Sequence, residues 1–274
     1  MKVIDITSYT NKTFKHLKAL ARKNYRDKQG VFIIEGVRIL EHAIKIQAEI
    51  VQVILSESFY SDKSGQFFLQ QLKAWYKSKQ IEADVYKMSA SMFKEITHTD
   101  TPQGIAAVIR TKNISLDQVK VSHNAFYVLC EELQDPGNLG TIIRTADAAG
   151  ADCVLLSKGC VDVYNPKTVR ASMGSLFSMP IIKVENILEA SNALKQKGLK
   201  FMIGDVTATK QHFEVNMKNS VVLVVGNEAK GVSDKMLALA DEKVKIPVIG
   251  SAESLNASIA AGILMYEVVR QRMM

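Results

Sequence analysis

Six short apolar runs, at residues 126–130, 153–156, 180–184, 201–206, 221–225 and 244–248, recur through the second half of the chain with helical periodicity between them. The helical patterns fall at 139–149, 166–176, 188–197, 234–240 and 255–270. Runs this short, nearly continuous in Val, Ile and Leu, are strands covered on both faces, and helices are the crossovers that cover them. The expected fold is therefore α/β, a mostly parallel sheet with helices on both faces. With 47% hydrophobic and 23% charged residues in 274, the chain can bury such a core and is neither fibrous nor disordered.

The first half reads as a smaller α/β unit. Phe14, Leu17, Leu20 and Ala21 recur at helical spacing within 11–26, opposite a row of cations. Apolar strands follow at 31–34 and 50–55 around a helical stretch at 37–46, then a helix at 66–76 and strands near 83–88 and 105–109. The polar segment 111–124 carries few large apolar residues and marks a linker. The expected division is a basic unit at 1–112, a linker at 113–124 and a larger domain at 125–274.

Charge separates the two halves. Residues 1–113 hold 18 Lys and Arg against 11 Asp and Glu, whereas 114–274 hold 17 of each, so the whole net charge of +7 lies in the first unit. Lys2, Lys12, Lys15, Lys18, Arg22, Lys23, Arg26 and Lys28 crowd its first thirty residues. They form a candidate phosphate-binding surface, with a merely solvated helix face as the alternative. No run approaches the roughly 18 apolar residues of a membrane helix. The opening residues lack a signal-peptide pattern, so a cytoplasmic protein without a membrane partner is expected. Cys130, Cys153 and Cys160 form no C-x-x-C pair and read as buried free thiols in a reducing compartment.

After its first strand a nucleotide-binding α/β domain usually carries a glycine fingerprint. Here the chain reads EELQDPGNLGTIIRTADAAG, which fits neither a dinucleotide nor a P-loop site. The unusual loops come late. GNEAKG at 226–231 follows the apolar run 221–225, and IPVIGSAESLN at 246–256 leads into the last helix, where Ser254 or Asn256 could serve as the cap. A third segment starts at Asn138, an expected helix N-cap, and stops at Gly150, an expected C′ residue. Arg144 stands there among Ile142, Ile143, Ala146 and Ala149, and either pairs with Asp147 or Asp135 or serves a ligand. Any one of these segments alone could be an ordinary connection.

Jointly, NLGTIIRTA, VVGNEAKGVS and IPVIGSAESLNASIA resemble the SpoU, or TrmH-like, family of RNA 2′-O-methyltransferases within the SPOUT superfamily, over about residues 121–274. FIIEGVRILEHAI is similar to the substrate-binding domain that many members carry. The resemblance implies a deep trefoil knot and S-adenosylmethionine as cofactor, held by Gly226, Asn227, Gly231, Ile246, Val248, Ser254, Leu255 and Asn256. It places Asn138, Arg144, Glu228 and Asn256 on the reacting side. Asn227, Ala229, Met173 and Val248 depart from common family choices. The candidate RNA contacts are Lys12, Lys15, Lys18, Arg22, Lys23 and Arg38, with Lys167 and Arg170 from NPKTVRASMG.

All five histidines, His16, His42, His98, His123 and His212, lie outside the matching segments, so no histidine base is offered. The family assigns activation of the hydroxyl to the arginine matching Arg144. Because arginine stays protonated, the role expected of it is stabilising developing alkoxide charge. The resemblance further implies a homodimer in which this arginine reaches the partner's pocket, and it requires no metal. Ribosomal RNA is preferred over transfer RNA because of the separate N-terminal unit. Two other readings stay open at this level: a non-catalytic RNA-binding or ribosome-assembly factor, and a nucleotide-dependent enzyme acting on a small metabolite.

Overall fold

A computed structural model describes residues 2–78, 84–97, 99–119 and 121–274. The start of the strand expected at 83–88 and His98 thus lie outside the described residues. The chain divides into two units, Met1–Lys112 with Tyr164–Pro166, and Asn113–Val163 with Lys167–Met274.

The first unit runs β1 (Lys2–Ile6), α1 (Lys12–Ala19), α2 (Lys23–Gln29), β2 (Val31–Glu35), α3 (Val37–Lys45), β3 (Ile50–Ser56), α4 (Glu57–Ser61), α5 (Lys63–Ser78), β4 (Asp84–Met88), α6 (Ala90–Thr97) and β5 (Ile105–Arg110). Its sheet has the order β1-β4-β3-β5-β2, with β5 antiparallel to both neighbours. The single helix expected at 11–26 is two helices. Arg26, only 3% exposed, turns inward and donates to the carbonyls of Leu20 and Ala21 at 2.7 Å each, which closes α1 and turns the chain into α2. Arg26 therefore leaves the surface row of cations. Phe14, Leu17 and Leu20 pack with Met92, Phe93 and Ile96 in this unit's core.

The second unit runs β6 (Phe126–Cys130), α7 (Pro136–Ala148), β7 (Cys153–Ser157), α8 (Pro166–Ala171), α9 (Ser175–Ser178), β8 (Ile181–Val184), α10 (Ile187–Gln196), β9 (Lys200–Gly204), β10 (Lys210–Gln211), β11 (Val221–Val225), α11 (Asp234–Leu237), β12 (Glu242–Lys245) and α12 (Ala257–Met273). Its seven strands, ordered β10-β12-β9-β11-β6-β7-β8, pair in parallel throughout. The central β6 and β11 are buried at every residue, as their unbroken apolar composition demands. One core gathers Tyr127, Leu129, Leu155, Phe201, Ile203, Val222 and Val224. Cys130 and Cys153 are buried free thiols, and Cys160 is half-buried and also free.

Three expectations for this unit are corrected. The helix expected at 166–176 is broken after Ala171, because Met173 and Gly174 take φ of 48° and 95°. The last strand stops at Lys245 instead of Val248, ahead of Pro247, which has no N–H for a ladder, and Val248 is exposed. The N-cap of α7 is Asp135, not Asn138: its Oδ1 accepts from the Asn138 amide at 2.8 Å, and Pro136 occupies the first helical position. At the other end Gly150, φ 72°, closes α7, with Ala151 N–H donating to Ala146 and Gly150 N–H to Asp147. Asn256 caps α12, accepting from the amides of Ser258 and Ile259.

Candidate active site

β6 and β11 are neighbours in register, Cys130 opposite Val225, so the loops leaving their carboxyl ends meet. That edge of an open α/β sheet is where ligands bind. From the first loop, Asn138 enters at the third position of α7 and is 9% exposed. Its Nδ2 donates to Glu228 Oε1 at 3.1 Å, and its Oδ1 accepts from Asn256 Nδ2 at 3.0 Å. Three segments remote in sequence are thereby joined by one relay. Its polarity is fixed: Asn256 Oδ1 already accepts at the N-terminus of α12, so Nδ2 must donate, and Asn138 must then donate onward to the carboxylate.

Glu228 ends the relay as an anion. Its Oε1 also accepts from the Asp135 amide at 2.9 Å and its Oε2 from the Gln134 amide at 3.0 Å. Partial burial opposes its ionisation, but the amides of Gln134 and Asp135 and the Asn138 side chain outweigh it and hold the carboxyl below the usual glutamate range. With both oxygens engaged, Glu228 is suited to positioning and not to taking a proton. Beside it, Asp135 is lowered by the Asn138 amide and by Lys167, whose Nζ lies 3.0 Å from Oδ2. Lys167 reaches that point because α8 crosses α7 at Gly140, where a Cβ would lie 2.5 Å from Ala171 Cβ and 2.6 Å from the Thr168 carbonyl.

A second exchange runs the opposite way, through residues that sequence reading did not single out. Glu131, buried at the end of β6, accepts from Ser233 N–H at 2.8 Å and Ser233 Oγ at 2.6 Å, while Ser233 caps α11. Asn227 Nδ2 donates to the Glu132 carbonyl at 2.8 Å, and Asn227 and Gly231 exchange backbone hydrogen bonds across the loop. At Gly226 a Cβ would come 2.3 Å from the Gly231 carbonyl carbon, so a side chain there cannot coexist with this turn. Asn227 thus has a defined task, closing the loop with its side chain.

Beyond this clamp a cavity of about 510 Å³ opens over the ends of β9, β11 and β12. Gly226, Asn227, Gly231, Ile246, Val248, Ser254 and Leu255 line it, together with Glu228. Asn256, Asn138 and Arg144 do not. Apolar walls from Val225, Val244 and Leu264, interrupted by loop backbone, suit a ligand with an aromatic base and a polar tail, and the volume is that of a small-molecule site. Sequence reading missed the wall supplied by Gly204, Asp205, Val206 and Thr207 after β9.

Arg144 is exposed on α7 and has neither an ion pair nor a side-chain hydrogen bond among the described residues. Asp147 and Asp135, its candidate partners, face Ser178 and Lys167 instead. Six residues along a helix turn it about 240° from Asn138, so the two do not share a face. Arg170 is exposed on α8. In the first unit Lys12, Lys15 and Arg38 are exposed, Lys18 pairs with Glu95, Lys23 pairs with Asp27, and the Arg22 guanidinium lies 5.9 Å from the Tyr25 ring centre. Among the described residues no group of His, Cys, Asp and Glu could hold a metal, and no helix is long and apolar enough to cross a membrane.

Residues 125–266 match the SpoU rRNA Methylase family, and residues 11–107 match the MRM3-like substrate binding domain. The 23S rRNA (guanosine(2553)-2′-O)-methyltransferase RlmP of Bacillus subtilis (strain 168) is 34% identical over 95% of this chain and 97% of its own. The 23S rRNA (uridine(2479)-2′-O)-methyltransferase of Streptomyces viridochromogenes is 31% identical over 96% and 91%. Among solved structures, the AdoMet-bound rRNA methyltransferase from Sinorhizobium meliloti superposes with a TM-score of 0.87 at 29% identity, covering 98% of both chains.

Proposed function

Since the chain belongs to the SpoU family of rRNA methylases, we propose that it transfers a methyl group from S-adenosylmethionine to a ribose 2′-hydroxyl of ribosomal RNA. The observation that carries this reading is the relay of Asn138, Glu228 and Asn256, which ties the three family segments together beside a cavity of cofactor size that Glu228 lines. Relatives named for a guanosine and for a uridine share the reaction at the sugar, which supports a site that addresses ribose and not one base.

When bound, S-adenosylmethionine supplies an electrophilic methyl group on a positively charged sulfur. Gly226, Gly231, Ile246, Ser254 and Leu255 hold it through loop backbone and apolar contact, with Asn227 and Val248 completing the wall. Asn138, Glu228 and Asn256 fix the loops so that the ribose oxygen meets the methyl carbon in line, a gain of position more than of acid or base strength. Glu228 is already an anion with both oxygens engaged, so the hydroxyl proton leaves to water. Arg144 stays protonated and stabilises the negative charge growing on oxygen.

Arg144 stands off the cavity of its own chain, so the reading includes a homodimer in which it reaches the partner's cavity. Exposed Ile259, Tyr266 and Met273, seven residues apart along α12, support a helix-mediated contact. The knotted path of the C-terminal segment belongs to the same reading, supported by the likeness to solved SpoU structures. Lys12, Lys15, Lys18, Arg22, Lys23 and Arg38 of the first unit, and Lys167 and Arg170 of the second, hold RNA phosphates. The same reading has the protein act in the cytoplasm.

Calorimetric titration with S-adenosylmethionine, run beside methyl incorporation into ribosomal RNA, tests the proposal. Micromolar binding with Arg144→Ala losing transfer but keeping the cofactor is expected. Absence of cofactor binding overturns the proposal, and near-normal transfer by the variant overturns the role of Arg144.

A further inference from the structure

The cavity contains a carboxylate whose direction is set before any ligand arrives. Asp205 follows β9 directly and lines the wall. Its Oδ1 accepts from Thr207 N–H and from Thr207 Oγ, both at 2.8 Å, and its own amide donates to the Val244 carbonyl at 2.9 Å. Those bonds fix the plane of the carboxylate and exhaust Oδ1. Oδ2 has no hydrogen-bond partner among the described residues. The other acids on the wall differ: Glu228 has both oxygens engaged, and Asp234 is exposed on the short α11.

An oriented carboxylate at the carboxyl end of a parallel strand is the usual acceptor for ribose hydroxyls in α/β nucleotide sites. Oδ2 has two lone pairs, and a vicinal diol offers two donors. β9 flanks β11 on the side opposite β6, and Asp205 shares the cavity wall with Glu228 of the relay. We propose that Asp205 is a positioning residue that accepts hydrogen bonds from the ribose of S-adenosylmethionine, anchoring the nucleoside over β9 so that the sulfur is presented toward the relay. This rests on the cofactor assignment made above.

The test is equilibrium binding of S-adenosylhomocysteine and of its 2′-deoxy and 3′-deoxy analogues to the full-length protein. The wild type should lose about tenfold or more in affinity when the contacted hydroxyl is removed, as expected for a hydrogen bond to a charged acceptor. Asp205→Asn should bind the parent compound about tenfold more weakly and discriminate little between it and the deoxy analogues. Thr207→Val, which removes one of the two bonds that orient the carboxylate and leaves its charge, should show a smaller loss of the same kind. Undiminished discrimination in Asp205→Asn overturns the inference, as does its disappearance in Asp234→Asn instead. If S-adenosylhomocysteine and S-adenosylmethionine both fail to bind the wild type, the cofactor assignment falls and takes this inference with it.

Discussion

Replacing Asn138 by alanine removes two hydrogen bonds at once, one to the ionised Glu228 and one to the neutral Asn256. A neutral hydrogen bond contributes about 0.5–1.5 kcal/mol net and one to a charged group about 1.5–3 kcal/mol, so the gross loss is roughly 2–4.5 kcal/mol. The lower end applies, because Glu228 keeps the amides of Gln134 and Asp135. About 2 kcal/mol corresponds to a fall in Tm of roughly 4–8 °C for a unit of this size. Asn256→Ala should cost more than its share of the relay, by about 1 kcal/mol, because it also uncaps α12. Chemical denaturation of both single variants and the double variant gives the coupling, expected near 1 kcal/mol. Additivity within about 0.3 kcal/mol would show that the two side chains do not act through each other and would refute the relay.

Gly226→Ala should abolish cofactor binding by calorimetry while leaving the far-ultraviolet circular dichroism near wild type, because the clash is with the loop's own backbone at 2.3 Å and not with the core. If the proposed homodimer forms, mixing Arg144→Ala chains with Leu255→Trp chains, whose cavity is filled, should restore transfer to about a quarter of the wild-type level, since half the dimers then carry one complete site; no restoration argues for a site within one chain. The lowered pKa of Glu228 means its bonds stabilise above the ordinary glutamate range and are lost as pH falls through the lower folded value. The Tm deficit of Glu228→Gln should accordingly be constant from pH 8 to about 5 and shrink below that. Lys12→Ala with Lys15→Ala should weaken RNA binding and lower its salt dependence by up to about 1.4 logarithmic units per decade, on the single-strand coefficient, without altering cofactor affinity.

The parallel sheet was legible because its strands are buried on both faces and leave unbroken apolar runs, as at Val221–Val225. β1 was not, since an edge strand with Lys2 and Asp5 between apolar residues carries little such signal. The break between α1 and α2 was hidden because Arg26 keeps helical spacing and reads as a solvent cation until its guanidinium is seen closing the turn. At α7 both Asp135 and Asn138 belong to the capping residue types, and Pro136 was the cue that decides for Asp135. In the site, glycines and the residues of contiguous motifs stood out. Glu131 and Ser233 did not, because they lie 102 positions apart and meet only through the pairing of β6 with β11. Asp205 was missed because its side-chain partner, Thr207, reads as an ordinary turn, and the cavity wall it joins is assembled from segments remote in sequence.

The polar side chains of the site are largely spent on one another. Asn256 donates to Asn138 and Asn138 to Glu228, Glu228 holds two amides of the opposing loop, Glu131 holds Ser233, and Asn227 donates to the Glu132 carbonyl. Groups committed in this way cannot shuttle protons without breaking the clamp, so in the proposed mechanism the chemistry falls to backbone groups, to the donor's own charge and to Arg144. That division suits methyl transfer, in which the electrophile arrives already activated and the protein's share is alignment and stabilisation of one growing negative charge. It also predicts that Asn256, which does not line the cavity, influences rate through the loops it holds: displacing either loop by about 1 Å misaligns an in-line reaction, at a cost on the order of a hundredfold.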